Sequence, residues 1–287
     1  MPRLILLAVL LLAFARPAAA QPAEASHVVA AERAFAADGL AMGLDRSFLK
    51  WSAEDAIMIA GGAPQRAHDL LDPHAVFDPA APSLAWWPNW AGIAKSGDLG
   101  FTTGGVEVGG RRNGHYFTIW RRQSDGSWKW VYDGGTGATS ADAPGPETEP
   151  VLLPTSIFGS PSPDAAMSEV RAVEAVLAAG ALRDQKQAHL ALLAPDGRLY
   201  VAPLPPAIGA EAFPAALDAW PRSFELSAPF GGGSSEAGDM VWTYGRALWT
   251  SDQTPHSGHY VHLWQKRWAG WMLVFAQIIP DPPPAAG

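Results

Sequence analysis

The sequence predicts two α+β domains in tandem, each opening with helix and closing with a curved antiparallel sheet. Residues 96 to 120 run SGDLGFTTG…GHYFTIW and residues 237 to 264 run AGDMVWTYG…GHYVHLW. A Gly-Asp opening, an apolar strand and a Gly-His-Tyr-x-x-x-Trp strand thus recur 141 to 144 positions apart. A period this long is a whole domain, unlike the ~20 to 50 residues of a solenoid repeat. Helical periodicity precedes the strands in both halves, and a proline-rich stretch separates them.

Residues 1–20 carry one early cation, Arg3, an apolar run from Leu4 to Ala15, and small residues ending Ala18-Ala19-Ala20. That order predicts a secretory signal peptide cleaved after Ala20, and hence a periplasmic or secreted protein. The run is too short to span a bilayer, so no membrane span is expected. The chain has no cysteine, which excludes disulfides and thiolate metal sites, so stability has to come from packed cores. Thirteen tryptophans supply large buried area for them. The net charge of -8 becomes more negative once Arg3 and Arg16 leave with the signal, and no basic stripe offers a surface for nucleic acid.

The first domain is expected over 26–137. Val28, Ala31, Phe35, Leu40, Leu44, Phe48 and Trp51 recur at helical spacing, with a break near Gly39 or Gly43. An offset of 142 pairs Glu32 with Glu174, Phe35 with Leu177 and Phe48 with Leu190, then runs on into Ile57 and Leu199. Strands follow at 99–108, 115–122 and 128–133, separated by Gly-Gly, Asn-Gly and Asp-Gly turn chemistry. Residues 138–163 are rich in proline and read as a linker, although Val151-Leu152-Leu153 and Ile157-Phe158 are apolar enough to dock on a neighbouring surface. The second domain, 164–281, repeats helix and meander, with strands at 240–249, 260–266 and 271–278.

Trp86-Trp87-Pro88, SGDLGFTTG, GHYFTIWRR and DGSWKWVYDGG together resemble the nuclear-transport-factor-2-like fold, in its exported bacterial branch related to SnoaL-like cyclases and ketosteroid isomerases. The resemblance covers residues 26 to 137 and, more loosely, 165 to 280. It implies a cone in which sheet and helices enclose one apolar pocket, catalytic in some relatives and only binding in others. The second copy departs from the pattern, with Ser227-Ala228 in place of Trp86-Trp87 and Ala276 in place of Asp133.

A pocket of that kind works through a carboxylate or imidazole held against an apolar wall, with a buried donor beside it. Asp133, Tyr116 and His115 are the candidate catalytic residues, and Trp86, Trp87, Trp90 and Trp120 the candidate ligand-binding indoles. Strand alternation puts Tyr116, Thr118 and Trp120 on one face and His115, Phe117 and Ile119 on the other. It also turns Asp133, with Lys129 and Val131, away from Trp128, Trp130 and Tyr132. Asp98 and Asp239 read as turn formers that accept local backbone amides. His256, His259 and His262 are spaced three apart, which in a strand alternates faces, so no metal site is expected, and no cofactor motif appears.

The sequence therefore points to an exported protein that binds a small apolar or amphipathic molecule in its first domain. The second domain would be a structural partner, the two pairing through their sheets as an internal pseudo-dimer. A cofactor-independent isomerase, lyase or cyclase acting by proton transfer is the alternative, and an interaction scaffold without ligand a further one.

Overall fold

The computed structural model describes residues 23–138 and 144–282, so the expected signal peptide lies outside the described residues. Helix α1 (Ser26–Met42) gives way to α2 (Leu44–Trp51) at Gly43, whose φ of 86° is open to glycine without cost. Of the two expected break points Gly43 is the used one. Gly39 serves a different purpose, because a Cβ there would fall 2.6 Å from the indole of Trp86. Strands β1 (Ser52–Ala60) and β2 (Ala63–Arg66), the short α3 (Ala67–Leu70), then β3 (Leu84–Ile93), β4 (Leu99–Val108), β5 (Arg111–Arg122) and β6 (Trp128–Gly137) complete the first half. Their order is β2-β1-β6-β5-β4-β3, antiparallel except for the β1–β6 pair.

The proline-rich stretch is not all coil. Its β7 (Val151–Leu152) adds in parallel to the free edge of β3, and Leu153 is buried behind it, whereas Ile157 and Phe158 stay exposed. Covering an edge in this way removes unpaired backbone groups from solvent.

The second half repeats the plan. Helix α4 (Pro163–Leu190) is capped by the Ser162 hydroxyl and leaves helical geometry at Asp184, the position that matches Met42 beside the first break. Then follow β8 (Leu193–Tyr200), β9 (Ala207–Ile208), α5 (Phe213–Leu217), β10 (Glu225–Leu226), β11 (Gly231–Ser234), β12 (Met240–Ser251), β13 (Thr254–Arg267) and β14 (Gly270–Pro280). The sheet order is β10-β12-β13-β14-β8-β9, with β11 also on β12 and β14 parallel to β8. Each half is thus an α+β cone, helices seated in the concave face of a curved sheet, as the resemblance implied. Among the described residues no helix is long and apolar enough to cross a membrane.

A bulge recurs in both sheets. Ile119 pairs with Tyr132 but Trp120 with Trp130, leaving Val131 extra, and Leu263 pairs with Phe275 but Trp264 with Leu273, leaving Val274 extra. The bulge corrects the simple alternation expected along 128–133. Trp130 lies on the same face as Asp133, against Phe48, and Val131 faces the other way.

The convex faces of the two sheets meet. Phe117 stacks on Phe275 at 3.7 Å, Tyr132 lies 5.8 Å from Trp242, and Gln277 Nε2 donates to the Tyr132 hydroxyl at 3.1 Å. The Asp98 and Asp239 turns join across this junction. Lys95 N donates to Asp239 Oδ2 at 2.9 Å, and the matching Glu236 N donates to Asp98 Oδ2 at 3.0 Å. The two aspartates therefore accept amides of the opposite half, in addition to the local serine hydroxyls of Ser96 and Ser235.

Candidate functional site

The concave face of the first sheet, closed by α2, holds a cavity of about 350 Å³. Its walls are Leu44, Phe48, Met58, Leu84, Trp86 and Val106, together with residues 113–116 of β5 and residues 133–137 of β6, which bring in Tyr116 and Asp133. That volume falls at the small end of the ~300–1,000 Å³ typical of ligand sites. No lysine or arginine lines it.

Asp133 is placed by β6 directly opposite Thr118 on β5, and the Thr118 hydroxyl donates to Asp133 Oδ2 at 2.6 Å. Burial, only partly offset by that bond, pushes the Asp133 carboxyl up to about 8, and the nearby Glu32 pushes it the same way. Tyr116 shares the face. Its buried hydroxyl, near Thr102, completes no hydrogen bond of ordinary geometry, and burial raises it well above the usual phenol range.

Behind the cavity lies a residue that the site reading did not include. Glu32, fully buried on α1, accepts from Trp86 Nε1 at 2.6 Å, from Trp120 Nε1 at 3.0 Å and from the Thr102 hydroxyl. Burial raises it to about 7 against these donors. Its signal was present in the sequence: it falls between Val28 and Phe35 on the apolar face of a helix, and a second glutamate, Glu174, matches it at the repeat offset.

His115 borders the cavity beside Tyr116, while its ring packs towards the other half. Its ring points to the convex face, 5.4 Å from Tyr200, with Nε2 buried and unpartnered. Burial, reinforced by Arg112 and Arg198, holds it near 4, so it is neutral. The four indoles separate as well. Trp86 lines the cavity, and Trp120 lies beneath it in the core against Phe35 and Trp51. Trp87 instead donates to Pro144 O at 2.8 Å under the Arg112 guanidinium, and Trp90 packs on Phe101 under Arg198. Alternation along β3 and the irregular pairing at Pro88 and Trp90 send those two to the outside of the cone.

The second cone builds the same frame with different chemistry. Glu174 accepts from Trp264 Nε1 at 2.8 Å and the Thr243 hydroxyl at 2.5 Å, matching Trp120 and Thr102. In place of the Thr118–Asp133 pair stand His262 and Ala276, directly opposite each other. His262 Nδ1 lies 3.0 Å from Glu174. Burial alone would raise Glu174, but His262 and the hydrogen-bond donors outweigh it and the net shift is downward. Tyr260, the counterpart of Tyr116, stacks on His262 and donates to Ser227 O at 3.0 Å, so its hydroxyl is satisfied. The remaining imidazoles of the His-x-x-His-x-x-His run diverge, His259 to Asp281 and His256 onto Trp249.

No protein-family model and no curated protein matches the chain. Among solved structures it is similar to a ketosteroid isomerase-like protein from Erwinia carotovora atroseptica, at 16% identity and TM-score 0.35 over 40% of this chain and 96% of the other. It is also similar to an NTF2-like protein of unknown function from Pseudomonas putida, at 14% identity and TM-score 0.35 over 43% and 99%. An NTF2-like protein with a cystatin-like fold from Novosphingobium aromaticivorans follows at 17% and 0.33, over 42% and 84%.

Proposed function

We propose that the first domain binds a small, largely apolar molecule bearing a hydrogen-bond acceptor such as a carbonyl. The observation that carries this reading is the pairing, inside one apolar cavity, of Asp133 with a Tyr116 hydroxyl that lacks a protein partner of ordinary geometry. A buried polar group without a partner is costly, and a ligand oxygen between the two would accept from the Tyr116 hydroxyl as well as from Asp133. A protonated Asp133 keeps Thr118 as its donor on Oδ2 and offers its own proton to the ligand.

The expected result with neutral aryl and alkyl ketones, read by isothermal titration, separates two substitutions. Asp133→Asn keeps a donor and the same shape, so affinity stays within a few-fold. Asp133→Leu removes the donor and weakens binding by about tenfold or more. Equal affinity in Asp133→Leu and the native protein would show that Asp133 is not the anchor.

Proton transfer is the second reading, favoured by a carboxyl near 8 facing an apolar wall, where it both holds and releases a proton close to neutral pH. Under it Asp133→Asn abolishes turnover while the ligand still binds.

The second domain, on this proposal, is a structural partner in an internal pseudo-dimer. Support comes from the reciprocal amide bonds of Asp98 and Asp239 and from the stacked Phe117 and Phe275. Export to the periplasm or medium belongs to the same proposal and rests on the sequence of residues 1–20. The protein recovered from its host should begin at Gln21, and a retained Met1 would overturn export by cleavage.

A further inference from the structure

A second cavity of about 460 Å³ opens immediately outside the first. One side is the junction of α1 and α2, the other is the segment 75–83, and the two cavities share Leu44, Leu84 and Trp86. These three residues form the common wall of the two spaces. Trp86 is fixed by its bond to Glu32 and by the close approach to Gly39. Leu44 and Leu84 are only partly covered and have room to give. Around the outer space Leu40, Leu44, Val76 and Phe77 are all substantially exposed, a concentration of uncovered apolar surface that normally marks a contact.

We propose that this outer groove receives the hydrocarbon tail of the molecule whose polar group sits between Asp133 and Tyr116, making the ligand an elongated, uncharged amphiphile with a carbonyl at its inner end. The inference rests on the inner cavity being a binding site. Charge decides the head group: a carboxylate there would meet Asp133 with no cation in the wall to balance it, and an unpaired buried charge is strongly unfavourable. Shape decides the tail. The boundary between the two spaces is one rigid indole and two leucines, and the small shift of the leucines that would join them admits a flexible chain more readily than a fused ring. The far end emerges beside Asp45, Arg46 and Asp78, which keep the mouth wet.

A series of straight-chain methyl ketones of increasing length tests this on the full mature chain. Short members, which fit the inner cavity alone, are expected to bind. Longer members should gain about fourfold in affinity for each further methylene buried along the groove. Val76→Asp and, separately, Val76→Asp with Phe77→Asp place charge in the groove and should abolish that gain. Because Val76 is 92% exposed, the single variant tests the groove without touching the core. Affinity that levels off once the inner cavity is full, or a length dependence that persists unchanged in both variants, overturns the inference while leaving the inner site intact. Failure of even the short ketones to bind removes the inner site itself, and the tail with it.

Discussion

Glu174→Ala is expected to destabilise the protein by about 3–5 kcal/mol, since three buried donors lose their shared acceptor at about 1–3 kcal/mol each. The carboxylate is the common acceptor for the Thr243 hydroxyl, Trp264 Nε1 and His262 Nδ1, all inside the second cone. Its removal strands three donors where water does not reach, and each stranded group carries its own desolvation cost. For a chain of this size each kcal/mol lowers Tm by about 2–4 °C. Glu174→Gln retains an acceptor oxygen and should lose less than the alanine variant. Chemical denaturation of the three proteins side by side is the measurement, and an alanine variant within about 1 kcal/mol of the native protein would contradict the account.

The native protein is expected to lose stability as pH rises from about 6.5 to 8, by about 2 kcal/mol. Asp133 and Glu32 hold their protons in the folded state up to about 8 and about 7, while in the unfolded chain both would ionise near the ordinary carboxyl value. The folded state therefore binds more protons across that interval, and raising the pH favours unfolding. His115 and His189 work in the opposite sense. Burial holds both near 4, so the unfolded state binds the extra protons below about 6.5 and stability falls there as pH is lowered. The two effects oppose each other between about pH 4 and 6.5, and above that only the carboxyls remain. Asp133→Asn should flatten most of the upper slope and stabilise the protein at pH 8. Thermal melts across pH 6 to 9 that show no fall, or an asparagine variant that keeps the full slope, would remove the buried, protonated Asp133 from the description.

Much of this architecture is written in the repeat. The helix break after Met42, the strand at 99–108 and the Gly-His-Tyr strand all follow from local spacing and turn residues, because period and glycine placement are local properties. The face on which Trp130 sits is not local. It depends on a bulge at Val131, and no residue there differs in type from an ordinary strand position. The short β7 escaped for a similar reason: two apolar residues among prolines become a strand only because β3 presents a free edge. Alternation did separate His115 from Tyr116 and turns Trp87 away from Trp86, yet it could not tell that Trp90 leaves the cavity as well, since that turns on a register irregularity between Pro88 and Trp90. Glu32 was legible only by comparing the halves, where a charged residue twice occupies the apolar face of a helix.

Two identical subunits share every mutation, so an interior residue that suits one partner's chemistry is imposed on the other. A single chain carrying both cones is released from that constraint. The Thr118–Asp133 pair on one side and the His262–Ala276 pair on the other occupy corresponding places in frames that otherwise agree at Glu32 and Glu174, Thr102 and Thr243, Trp120 and Trp264. One interior holds an acid that is expensive to bury, and in its twin the corresponding place is taken by an imidazole bonded to Glu174. Two halves in one chain thus leave each interior free to differ from the other without a second copy having to follow.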